Sequence, residues 1–141
     1  MRKLTRRAVI GAAIAIPAVA FAQSSATPPG AKVYIIWPHD GDRVKGPFWC
    51  RFGLRNMGVA PAGTPAPNTG HHHLLIDADE PLKAGETIPS DRHHMHFGAG
   101  QTEAHLDLAP GRHTLQLVMG DADHRIFDPP LISKKITIIV E

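Results

Sequence analysis

The chain has 141 residues, enough at roughly 100–200 residues per domain for one domain and too short for a multi-domain enzyme. Its 20% charged and 43% hydrophobic residues, with a formal net charge of +2, exclude a charge-dominated disordered polymer and a continuously apolar membrane bundle. The outlying count is histidine, ten against a single cysteine.

Residues 1–22 have the layout of a removable export signal: Arg2, Lys3, Arg6 and Arg7 lead, an Ala-rich apolar run from Ala8 to Ala20 follows, and Ala20-Phe21-Ala22 fits a small-x-small cleavage site. The apolar run is shorter than the roughly 20 residues that span a bilayer, and Pro17 interrupts it, so cleavage is expected rather than stable membrane insertion. The Arg6-Arg7 pair resembles the twin-arginine signal, and either export route leads to a periplasmic or secreted protein. Without those four positive charges 11 Lys and Arg face 13 Asp and Glu, a balance that argues against nucleic acid as a partner.

Residues 23–31 read as a flexible leader of Ser, Thr, Pro and Gly, and residues 32–141 as one domain. Val33–Trp37 is β-branched and aromatic and ends at the turn residues Pro38 to Gly41. Phe48, Cys50, Phe52 and Leu54 alternate with Trp49, Arg51, Gly53 and Arg55, as a half-buried strand requires, which makes Cys50 a buried thiol with no disulfide partner. Both Trp37 and Trp49 are expected in the core. Residues 56–70, with three Pro and three Gly, read as a long loop. Further strands are expected at His71–Asp77, about His93–Phe97, Thr102–Leu108, Arg112–Met119 and Lys135–Val140. About seven short strands between Pro/Gly turns predict an all-β, immunoglobulin-like antiparallel sandwich, with a small β-barrel as the alternative.

Six histidines fall in two tracts, His71, His72, His73 and His93, His94, His96. On strands each tract supplies a His-x-His pair on one face, and two such pairs facing each other present up to four imidazoles to a copper or zinc ion. Met95 and Phe97 turn His94 and His96 outward. In the first tract Leu74 and Ile76 compete with Leu75 for the core, which leaves open whether His72 or the His71/His73 pair faces out. His105, Glu103 and Asp107 share an outward face on the next strand and are candidates to hydrogen-bond the ligating rings from behind. His113 shares a period with Leu115 and Leu117 and reads as a packed core residue, while His39 and His124 read as surface. No nucleophile elbow and no phosphate-cradling loop is present.

Asn68-Thr69-Gly70-His71-His72-His73-Leu74-Leu75-Ile76-Asp77, His96-Phe97-Gly98 leading to Gly100-Gln101-Thr102-Glu103, Pro110-Gly111 with His113-Thr114-Leu115-Gln116-Leu117, and Asp128-Pro129-Pro130 resemble the exported bacterial family known as domain of unknown function 4399. With Met57 to Thr64 the likeness spans most of residues 33–140. The resemblance implies a single exported β-rich domain, often found alone, whose histidines belong to the family pattern; it implies no activity. Three functions are therefore carried forward. The first is a periplasmic metal-binding protein, copper ahead of zinc, that sequesters or transfers an ion. The second is a copper redox enzyme, and the third a non-metal envelope module that binds a peptide, glycan or partner protein.

Overall fold

The structure, a computed structural model, describes residues 25–141, so the export-signal reading of residues 1–22 lies outside the described residues. Nine strands and no helix occur among them: β1 (Lys32–Trp37), β2 (Arg43–Val44), β3 (Phe48–Arg55), β4 (Gly58–Val59), β5 (Thr69–Ile76), β6 (His94–His96), β7 (Glu103–Leu106), β8 (Gly111–Gly120) and β9 (Ile136–Val140). They form two sheets, one of three strands in the order β1-β3-β7 and one of six in the order β2-β9-β8-β5-β4, with β6 also on β5. The architecture is an all-β sandwich and not a closed barrel.

The alternating residues close the sandwich. Cys50 and Phe52 from β3, Val33 from β1 and Leu106 from β7 meet Leu74, Leu115, Leu117, Met119 and Ile138 of the larger sheet in one buried cluster. Burial places the Cys50 thiol out of reach of water and pushes its pKa up to about 12, as expected for an inert buried cysteine. Trp37 packs edge-on against Phe48. Trp49 departs from the core expectation: it lies with Arg51 on the outer face of β3, 49% exposed, with its ring against His105.

Two further differences have local causes. The 56–70 segment contains a strand, because Gly58 and Val59 pair in parallel with Thr69 and Gly70 at the free edge of β5. The 23–31 leader docks over its described part: Ala26 bridges Asp128, Thr27 N–H donates to Asp128 C=O, and Asp128 N–H donates to Ser25 C=O. Backbone pairing thus holds a segment whose side chains offer little to bury.

β5 resolves the ambiguity of the first histidine tract. From Gly70 to Ile76 every residue is buried, because both faces of the strand are covered. His72, Leu74 and Ile76 alternate with His71, His73 and Leu75; Leu74 and Ile76 join the sandwich core, and Leu75 joins a second cluster with Ala78, Ile88, Val118 and Ile126. That second layer is made by the segments after β5 and after β8, which fold over the outer face of the larger sheet. It is this layer that walls in the histidines.

Candidate metal centre

The β5–β6 register puts His96 opposite His73 and His94 opposite Leu75, and the β5–β8 register puts His71 opposite Gly120. His71, His73 and His96 consequently share the outer face, with ligand atoms all within 4.8 Å of one another. Their ring centroids are 4.9–5.0 Å apart. A fourth ring comes from the turn after β8. His124, at φ 62°, brings its Nε2 to 3.1 Å from His96 Nε2, and its ring centroid to 4.9 Å from that of His71.

Two close nitrogen pairs result, His71 Nε2 with His73 Nε2 at 3.0 Å and His96 Nε2 with His124 Nε2 at 3.1 Å. With metal–nitrogen bonds of about 2.0–2.1 Å, neighbouring ligand atoms stand about 2.8–3.0 Å apart around a square and about 3.3–3.4 Å apart in a tetrahedron. The observed 3.0 and 3.1 Å lie at and just above the upper end of the square range. The inner pair is buried and the outer pair is open to solvent in part, with His96 exposed. The Nδ1 atoms of His71 and His73 have no hydrogen-bond partner.

Two glycines make room for the rings. A Cβ on Gly98 would overlap the His96 ring, and a Cβ on Gly120 would stand 3.0 Å from His73 Nε2 and 3.2 Å from Ile88 Cδ1. Neither glycine has a positive φ, so the space taken by the imidazoles is what constrains them.

The electrostatics favour neutral imidazoles. Burial, then the neighbouring rings His124 and His96, lowers the pKa of His71 to about 4, against a smaller opposing pull from Asp121. Burial and the same neighbourhood lower His73 to about 3. His96 is lowered too, by burial and by His124. His71, His73 and His96 are thus held neutral at neutral pH, and a neutral imidazole whose proton sits on Nδ1 offers its Nε2 lone pair to a metal.

The other histidines of the two tracts stand apart from this cluster. His72 faces the sandwich core, where its ring lies 5.2 Å from Phe52 and neither nitrogen makes a hydrogen bond of ordinary geometry; burial lowers its pKa to about 4. His94 is on the same side of β6 as His96, but its Nδ1 is 2.9 Å from Asp91 Oδ1 and its Nε2 is 3.8 Å from Glu80 Oε2. His93 bonds the Ile76 carbonyl through Nδ1 and accepts from Arg92 Nε at Nε2. Glu103 and His105 belong to the smaller sheet, where Glu103 pairs with Arg51 and His105 lies on Trp49, and Asp107 follows β7 at the surface. None of the three contacts the clustered rings. His113 is tied to Asp77 Oδ2 and to the Ala109 carbonyl rather than packed among leucines.

His124 is the member that sequence reasoning assigned to the surface. Nothing around it repeats, and only the pairing of β8 with β5 carries the following turn back to the first tract. The signal that was available is the Gly120-Asp121 step, a strand end followed by turn chemistry.

A family model matches residues 50–141, well over half of the chain. The chain belongs to the family described as Domain of unknown function (DUF4399). Within the DUF4399 match lie β5, β6, β8 and the turn after β8, hence all four clustered histidines and both glycines that accommodate them. β1 and β2 precede it. No curated protein and no solved structure matches the chain.

Proposed function

We propose that this protein is an exported, periplasmic metal-binding protein that holds one copper or zinc ion between His71, His73, His96 and His124, for sequestration or transfer. The observation that carries the reading is the cluster of His71, His73 and His96, with ligand atoms within 4.8 Å of one another, joined by His124 through its Nε2 at 3.1 Å from His96 Nε2, beside two glycines whose Cβ atoms would crowd the rings. Imidazole nitrogens suit Cu(II) and Zn(II), and paired nitrogens close to a square spacing place copper ahead of zinc. The half-open outer pair gives an ion a route in and out, which suits carriage.

The test is titration of the full chain with Cu(II) and with Zn(II), each alone, in the wild type and in His73→Ala, His124→Ala and His93→Ala. The expected result is one ion per chain, bound at least about tenfold more weakly when His73 or His124 is removed and unchanged when His93 is removed. Weak uptake that is insensitive to all three substitutions would overturn the reading.

The exposed Trp49 and Ile36 favour a second reading, an interaction module for another envelope protein. In that case both residues, rather than the histidines, would govern binding.

A further inference from the structure

Asp121 immediately follows Gly120, the ladder partner of His71, and is buried at 5% relative exposure. Its oxygens accept only neutral donors. Oδ1 accepts from the backbone N–H groups of Asp123 and Arg125, both at 2.9 Å, and Oδ2 from Ser25 Oγ at 3.0 Å and Ser25 N at 3.4 Å. The nearby Arg125 guanidinium is directed elsewhere, to the Gly85 carbonyl. Among the described residues no Lys, Arg or His forms an ion pair with Asp121. Hydrogen bonds offset part of the cost of burying a carboxylate, and a positive charge close by offsets more of it.

The same carboxylate shapes the turn that carries a ligand. His124 N–H donates to the Asp121 carbonyl at 3.0 Å, and Asp121 N–H donates to the Arg125 carbonyl at 3.0 Å, so Asp121 clasps residues 123–125 from both its backbone and its side chain. His124 is held in the left-handed region that brings its ring over His96. Ser25, from the docked segment, closes the far side of the carboxylate.

We propose that Asp121 is the buried counter-charge and the positioning residue of the four-histidine site, selecting a divalent cation over a monovalent one. This inference rests on the metal-binding reading above. Four neutral imidazoles leave a bound ion with its whole charge, and the Asp121 carboxylate, one residue beyond the Gly120 partner of His71, is the only buried Asp or Glu side chain among the described residues. Coulomb attraction scales with ionic charge, so the carboxylate favours a divalent ion twice as much as a monovalent one in free energy.

The experiment compares Zn(II) and Ag(I), each as the only added metal, by competition with a chromophoric chelator on the full chain. Asp121→Asn removes the charge and keeps an amide oxygen for the turn. Ser25→Lys, at an exposed position, leaves the turn bonds intact and sets an ammonium beside the carboxylate. The expected result is a Zn(II) loss of at least about tenfold in Asp121→Asn with an Ag(I) loss near its square root, about threefold, and a smaller Zn(II) loss in Ser25→Lys that fades at high salt. Wild-type Zn(II) binding with both variants within about twofold of it, or equal losses for the two ions, overturns the inference and leaves the four-histidine site standing. Failure of the wild type to take up either ion overturns the metal-binding reading and this inference together. Should Asp121→Asn fail to fold, the Ser25→Lys comparison decides alone.

Discussion

At the scale of single residues, the glycines test the site more cleanly than the histidines do. Gly120→Ala sets a methyl group against His73 Nε2 and Ile88, and Gly98→Ala sets one in the His96 ring, with no backbone strain at either position. Each is expected to weaken Cu(II) binding about tenfold or more while the apo protein keeps its fold, measured by titration beside circular dichroism. His72 is the converse case. Its ring is buried without ordinary hydrogen bonds and faces away from the cluster, so His72→Leu should leave metal affinity unchanged and raise stability by about 1 kcal/mol in urea unfolding. A loss of metal binding in His72→Leu would contradict the assignment of faces on β5.

At the scale of elements, the alternation from Phe48 to Leu54 and the apolar ladder of Leu115, Leu117 and Met119 made two strands and their inward faces legible in sequence, because one covered face imposes period two. The histidine tract was only half legible. Period two separates His72 from His71 and His73, yet it cannot tell which face is covered when a loop layer of Ala78, Ile88 and Ile126 covers the second. Pairing across strands was not legible at all, and pairing is what recruits His124 and leaves His94 to Asp91. Glu103 and His105 share the outward face that alternation predicted, but the face belongs to the other sheet.

A polar tie at the mouth of β8 gives an element-scale prediction. Asp77, at φ 52°, accepts from Thr114 N–H at 2.8 Å and contacts His113 Nδ1 at 2.7 Å, while His113 Nε2 donates to the Ala109 carbonyl. Burial alone would lower the His113 pKa, but the bonds to Asp77 and Ala109 outweigh it and raise the value above 6.5. Burial likewise opposes ionisation of Asp77, and the Thr114 and His113 contacts outweigh it and hold its pKa below 3.8. The His113 contribution to stability is full below pH 6.5 and lost as pH rises through its raised pKa; that of Asp77 is full above pH 3.8 and lost as pH falls through its lowered one. Histidine NMR titration should find His113 titrating above 6.5 in the wild type and lower in Asp77→Asn. An unchanged His113 midpoint would show that the tie does not form.

At the scale of the whole molecule, acid should act against the metal-free fold through the buried rings. His71, His72 and His73 stay neutral in the folded chain down to about pH 4, 4 and 3, whereas the unfolded chain takes up protons from about 6.5. Stability from these groups is therefore complete above pH 6.5 and lost as pH falls toward their folded values, with an uptake of up to about three protons on unfolding. Thermal melts from pH 7 to pH 4.5 should show a falling midpoint, and the decline should shrink in the His72→Leu variant. An ion bound to the folded state alone adds about 2.7 kcal/mol at a free concentration of 100 times Kd, which for a domain of this size raises Tm by roughly 10 °C.

The four-histidine site is best tested by X-ray absorption at the copper edge of the full chain loaded with one equivalent of Cu(II). Four imidazoles converging on one ion predict a first shell of about four nitrogens near 2.0 Å with the outer-shell scattering of imidazole rings, reduced by one ring in His124→Ala. A first shell with two or fewer imidazoles, or one that His124→Ala leaves unchanged, would contradict the four-histidine site.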